Sequence, residues 1–142
     1  MQTSEDSWTS ATFRIISENL SIEDICLKIN TQPTKYFVKG ELCSKRNPKS
    51  RVRKENLWLL ESVLSDQNTI ESHVKYFLSF LKKNEDGIKE LQAECKFDIV
   101  CAHSSENGQG GFILEHEVLK ELTAYPVDLS INLYPPERNS EN

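Results

Sequence analysis

Apolar and polar positions change period several times along this chain, and each change marks an element. Thr12 to Ser17 alternates, with Phe13 and Ile15 on one face, and predicts a strand. Ile22, Ile25, Cys26 and Ile29 then recur at helical spacing behind Ser21, a residue suited to capping, with Asp24 three positions on. Asn30 and Pro33 end that helix. Thr34 to Val38 is rich in β-branched and aromatic residues and closes at Gly40, which predicts a second strand; Asn56 to Ser62, short and apolar around Trp58, predicts a buried third.

The second half opens with the clearest helix. Asn68 reads as its cap and Glu71 as the capping-box partner; Ile70, Val74, Phe77, Leu78 and Leu81 share a face with His73, while Lys75, Lys82 and Lys83 point away. A further helix over 86–95 would bury Ile88, Leu91 and Cys95. Phe97 to His103 reads as a strand, Asn107-Gly108 as a hairpin turn, Gly111 to Leu114 as a short returning strand, Val118 to Leu122 as a helix stopped by Pro126, and Val127 to Tyr134 as a last strand. The order β-α-β-β-α-α-β-β-α-β predicts an α+β fold, a single mainly antiparallel sheet with helices on a face, whose first and last strands could be neighbours.

Length and composition fit this picture. The 142 residues, 37% hydrophobic and 27% charged, suit one ordinary globular domain, expected over 11–134 between flexible ends at 1–10 and 135–142. The start is polar and acidic, without the basic and apolar regions of a secretory signal, which points to a cytoplasmic protein. Cys26, Cys43, Cys95 and Cys101 show no C-x-x-C spacing and read as reduced thiols, three of them on apolar faces.

Charge is uneven. Residues 35–54 hold eight basic side chains against Glu41 alone, a balance of +7, so a chain of net −5 carries −12 everywhere else. Within a basic loop at 41–54, Lys45, Arg46, Lys49, Arg51, Arg53 and Lys54 are candidate phosphate contacts, although no aromatic residue between Gly40 and Leu57 offers a base a platform. The acidic remainder suits a different class, an inhibitor steered toward a basic protein, with Glu115, Glu117 and Glu121 as candidate contacts.

Phe13-Arg14-Ile15, the helix Ser21 to Ile29, Pro33-Thr34 with Gly40, the isolated Trp58, His73 opening an aromatic helix, and Asp128 to Tyr134 together resemble the bacterial domain of unknown function 4279 family over about Ala11 to Tyr134. The resemblance implies a small α+β domain and transfers no catalytic residue. Members of such families sometimes resemble immunity proteins, which neutralise a toxin delivered between bacteria.

The candidate chemistry is thin. His73, on an apolar face, reads as a structural imidazole alongside Gly40 and Trp58. His103 and His116, with Ser104, Glu115 and Glu117, could be drawn as a hydrolytic cluster, but spacing does not orient them. Cys101 and His103 share a strand face, two ligands short of a metal site, and no cofactor is implied. The glycines at 108, 110 and 111 are followed by Phe112-Ile113-Leu114 rather than by a helix start, which argues against a phosphate loop. The resulting expectation is a non-catalytic protein that binds another macromolecule, with an immunity protein against a basic toxin as its concrete form. The alternatives are a nucleic-acid-binding accessory domain using the basic loop and a hydrolase around His103 and His116.

Overall fold

The structure, a computed structural model, describes residues 7–105 and 111–135. In chain order the elements are β1 (Trp8–Ser17), α1 (Ile22–Ile29), β2 (Lys35–Phe37), β3 (Asn56–Glu61), α2 (Ile70–Lys83), α3 (Glu85–Leu91), β4 (Lys96–Ser104), α4 (His116–Leu122) and β5 (Val127–Tyr134). The strands form one sheet in the order β2-β3-β1-β4-β5. All neighbours run antiparallel except β4 and β5, which are parallel and joined through α4, because a parallel pair needs a crossover rather than a hairpin. The fold is α+β, with four helices, among the described residues, on one face of a mixed sheet.

Alternation along β1 decides which face is covered. Ala11, Phe13 and Ile15 are buried toward the helices, with Trp58 from β3 and Phe97, Ile99 and Cys101 from β4 beside them. Phe13 is the hub: its ring lies 5.6–6.3 Å from those of Trp58, Phe77, Phe80 and Phe97, at the spacing aromatic pairs prefer. From α2, Ile70, Val74, Phe77, Leu78 and Leu81 close this core; from α1, Ile25 and Ile29; from α3, Ile88 and Leu91. Helices α1 and α3 meet at Gly87, where an added Cβ would lie 2.5 Å from the carbonyl oxygen of Lys28, so only glycine allows that approach.

Local signals set several boundaries. The hydroxyl of Ser21 accepts from the Asp24 amide at 3.1 Å, and Asn30 ends α1 in the left-handed region at φ 47°. Four expectations are corrected. The cap of α2 is Thr69, which accepts from the Ser72 amide, rather than Asn68, and Glu71 instead receives the Glu115 amide at 2.7 Å. Helix α3 stops at Leu91, leaving Cys95 buried just ahead of β4. Gly111 to Leu114 forms no strand: Phe112 and Leu114 pack against the core from irregular chain, and β4 finds its partner in β5. The first and last strands are not neighbours, because β4 lies between them; Trp8 and Tyr134 nevertheless meet across it with ring centroids 5.5 Å apart. Strand β1 begins at Trp8, earlier than its alternation suggests. The expected turn at Asn107-Gly108 and the tail beyond Pro135 lie outside the described residues.

Candidate functional site

A groove of about 1400 Å3 lies between α1 and the edge strand β2. Its apolar lining comes from Ile22, Cys26, Leu27, Tyr36 and Val38. The α1 stripe faces the core through Ile25 and Ile29, which leaves Leu27 on the outer side, 81% exposed; Tyr36 of β2 is 58% exposed. Two large apolar side chains presented to solvent along one groove are a feature that folding does not require.

The groove continues past Lys39 and Gly40 into a second concavity of about 870 Å3, lined by Cys43, Arg51, Val52, Arg53, Lys54 and Leu57. Segment 41–54 folds back on itself as a small hairpin. Leu42 bridges Val52, and amides of Gly40, Cys43 and Arg53 donate to the carbonyls of Arg53, Arg51 and Glu41 at 2.7–2.9 Å. Gly40 turns the chain at φ +94°, a conformation side chains disfavour. Buried Asn56 anchors this junction: its Oδ1 accepts from the Lys39 amide at 2.7 Å and its Nδ2 donates to the Leu20 carbonyl at 2.8 Å, tying the hairpin to the entry of α1.

The hairpin gathers the basic residues named from sequence. Arg53 sits over the ring of Phe37, 3.9 Å from its centroid, so an aromatic partner does exist, supplied by β2 rather than by the loop. Lys45 approaches Glu41 at 4.0 Å; Arg46, Lys49, Arg51 and Lys54 form no ion pair among the described residues. Phe37, Leu57, Leu59 and Ile16 line up beside the hairpin on the face of the sheet that no helix covers among the described residues. At the centre of that face Arg14 donates to both carboxylate oxygens of Asp98, at 2.7 and 2.5 Å.

The acidic candidates lie elsewhere. Helix α4 packs against α2 and leads into β5, at the opposite edge of the sheet from β2 and the hairpin. Glu121 is held by Lys82 at 3.2 Å and Glu117 lies 3.3 Å from the His116 ring, while Glu115 precedes the helix and offers its amide to Glu71. The −12 balance is thus not gathered: on the helices, lysines 28, 75, 82, 89 and 120 stand among the carboxylates.

The histidines separate. His73 is buried, with Nε2 3.0 Å from the Thr9 hydroxyl and Nδ1 2.7 Å from the Ser62 hydroxyl, and burial lowers its pKa below the usual imidazole value. Thr9 also donates to the Asn68 carbonyl, so the ring fastens the turn before α2 to β1. His103 lines a cleft of about 670 Å3 with Trp8, Asn68 and Phe112, its ring 5.8 Å from that of Phe112 and its Nδ1 without a hydrogen-bond partner among the described residues. Ser104, Glu115, His116 and Glu117 do not line that cleft. No three His, Cys, Asp or Glu side chains converge as a metal site among the described residues. All four cysteines are free; Cys95 and Cys101 are buried, and burial pushes the Cys101 thiol up to about 11. Among the described residues no helix is long and apolar enough to cross a membrane.

Sequence reasoning missed the groove. The available signal was Leu27, an apolar residue off the α1 stripe, together with Tyr36 in a strand too short to be covered on both faces. No curated protein and no solved structure matches the chain. The family model described as Domain of unknown function (DUF4279) matches residues 6–136, and with nearly the whole chain covered, this protein belongs to that family.

Proposed function

We propose that this chain is a non-catalytic domain that binds another protein at the groove between α1 and β2, with an immunity protein that neutralises a toxin as its most concrete form. The observation that carries the reading is the pairing of exposed Leu27 and Tyr36 with an adjoining basic hairpin, four of whose cations, Arg46, Lys49, Arg51 and Lys54, form no ion pair among the described residues. An apolar centre beside a charged rim is the make-up of a protein interface, and the sign of the rim selects a partner segment with an apolar side chain flanked by carboxylates. A basic toxin would instead meet Glu115, Glu117 and Glu121 at the other edge of the sheet.

Growth rescue tests this. The product of the neighbouring gene is expressed with and without this chain, alongside the double variant Leu27→Ser, Tyr36→Ser. The expected result is protection by the native chain that the groove variant loses while keeping its melting temperature. Protection lost instead with Glu117→Lys and Glu121→Lys moves the contact to α4, and no protection removes the immunity form.

The second reading, nucleic acid on the hairpin, has Arg53 over Phe37 in its favour, since a guanidinium on a ring is a surface on which a base stacks. About six phosphate contacts on a duplex would give log affinity a slope of about −5 against log salt. Anisotropy titrations showing that slope, flattened by Arg51→Ser with Arg53→Ser, would support it over the protein partner.

A further inference from the structure

The two edges of the sheet are protected very differently. Strand β2 is three residues long, follows Pro33, and carries Lys35 in an ion pair with Glu61 at 3.2 Å, features that discourage another strand from adding there. Strand β5 is eight residues long, VDLSINLY, with no lysine, arginine or proline and only Asp128 charged. Nothing among the described residues pairs with its outer side. Its helix-facing side chains are also under-covered. Phe97, Ile99 and Cys101 of β4 are buried, whereas their register partners Val127, Leu129 and Ile131 are only half-buried, and Leu133 is 71% exposed. The helical layer stops one strand short.

We propose that β5 pairs antiparallel with β5 of a second copy of this chain, about a two-fold axis through Ser130, giving a continuous ten-stranded sheet with both helical layers on the same side. The occupant follows from self-complementarity. Strands related by an axis normal to the sheet place residues of equal parity opposite one another. Centred on Ser130, the register sets Asp128 against Asn132 on the open face, so the two carboxylates avoid each other. On the helical side it sets Leu129 against Ile131 and Val127 against Leu133, which extends the core over the half-buried row. Tyr134, engaged with Trp8, falls at the end of the paired segment. A foreign extended peptide would gain the same backbone bonds but no side-chain selection, since the clefts beside β2, the hairpin and His103 include no β5 residue. This association needs no partner protein, so its failure leaves the groove reading standing.

Sedimentation velocity across a concentration series tests it with the full chain and with Ser130→Lys and Ser130→Glu, both at an exposed position. The native chain is expected to dimerise reversibly. Each variant alone should weaken the dimer about five-fold or more, because like charges then face each other at the axis, and an equimolar mixture of the two should restore association to at least the native level. Native chain that stays monomeric through the series, variants that associate as the native chain does, or a mixture as weak as its components would each overturn the proposal. Deuterium exchange of the native chain reads the same edge without substitution: β5 amides should slow as concentration rises, and concentration-independent exchange would count against it.

Discussion

The two faces of the sheet come from the same five strands yet have opposite characters. Toward the helices, β1, β3 and β4 present Phe13, Ile15, Trp58, Phe97, Ile99 and Cys101, all buried. Away from them the same strands present Ser10, Thr12, Arg14, Leu57, Leu59, Asp98 and Ala102. Parity alone separates a residue in the hydrophobic core from one that meets solvent or a partner. The contrast teaches where stability resides: burial on the first face, and on the second a central ion pair whose worth solvent reduces.

The sharpest way to break the contrast is Trp58→Ala. A fully buried ring at the centre of the aromatic cluster should take about 3–5 kcal/mol with it in denaturant melts. A loss below about 1 kcal/mol would mean that the covered face does not hold the fold. Gly87→Ala tests the helical layer itself. With the Lys28 carbonyl 2.5 Å from the new methyl, α1 and α3 must part, at a cost of about 1–3 kcal/mol; a neutral result would show that the two helices shift freely.

His73 adds a pH dependence to the covered face. Its pKa in the folded state lies below that of the unfolded chain because burial disfavours the cation. The unfolded chain therefore binds more protons between the two values, and stability should be flat above the ordinary imidazole pKa of about 6.5 and fall as pH drops below it. Melts between neutral and mildly acidic pH should show this slope and lose it in His73→Gln; a slope unchanged in the variant would assign it to other groups. The smallest effect is expected on the open face. Asp98→Asn keeps shape and removes charge beneath a third-exposed Arg14, at about 1 kcal/mol or less. A loss as large as that of Trp58→Ala would erase the distinction between the faces.

Much of this fold was legible because its signals are local. Ser21 capping α1, Asn30 ending it, the apolar face of α2 with His73 inside, and the bounds of β5 all follow from residues within a turn or two of one another. The misreadings have equally physical causes. Gly111 to Leu114 is apolar enough for a strand, yet Phe112 and Leu114 pack from irregular chain while Ile113 stays exposed, because β5 takes the edge of β4. Asn68 and Thr69 are both able to cap, and which one does so is settled by where the turn is fastened: Thr9, 59 residues from Asn68 in the chain, fixes it together with His73. The basic loop was visible as composition, but its hairpin and the Arg53–Phe37 contact depend on the β2–β3 pairing that brings its ends together.

By itself, then, the sequence determined the elements and, through periods of 2 and 3.6, which side chains each would bury, since those periods are properties of a short stretch of backbone. Tertiary structure decided the rest: that β4 separates β1 from β5, that β5 runs parallel to β4 and leaves a long edge without lysine, arginine or proline, and that Leu27 and Tyr36 line one groove. Strand order and groove formation turn on competition between distant segments for the same edges and faces, and that competition is resolved only when the whole chain has closed.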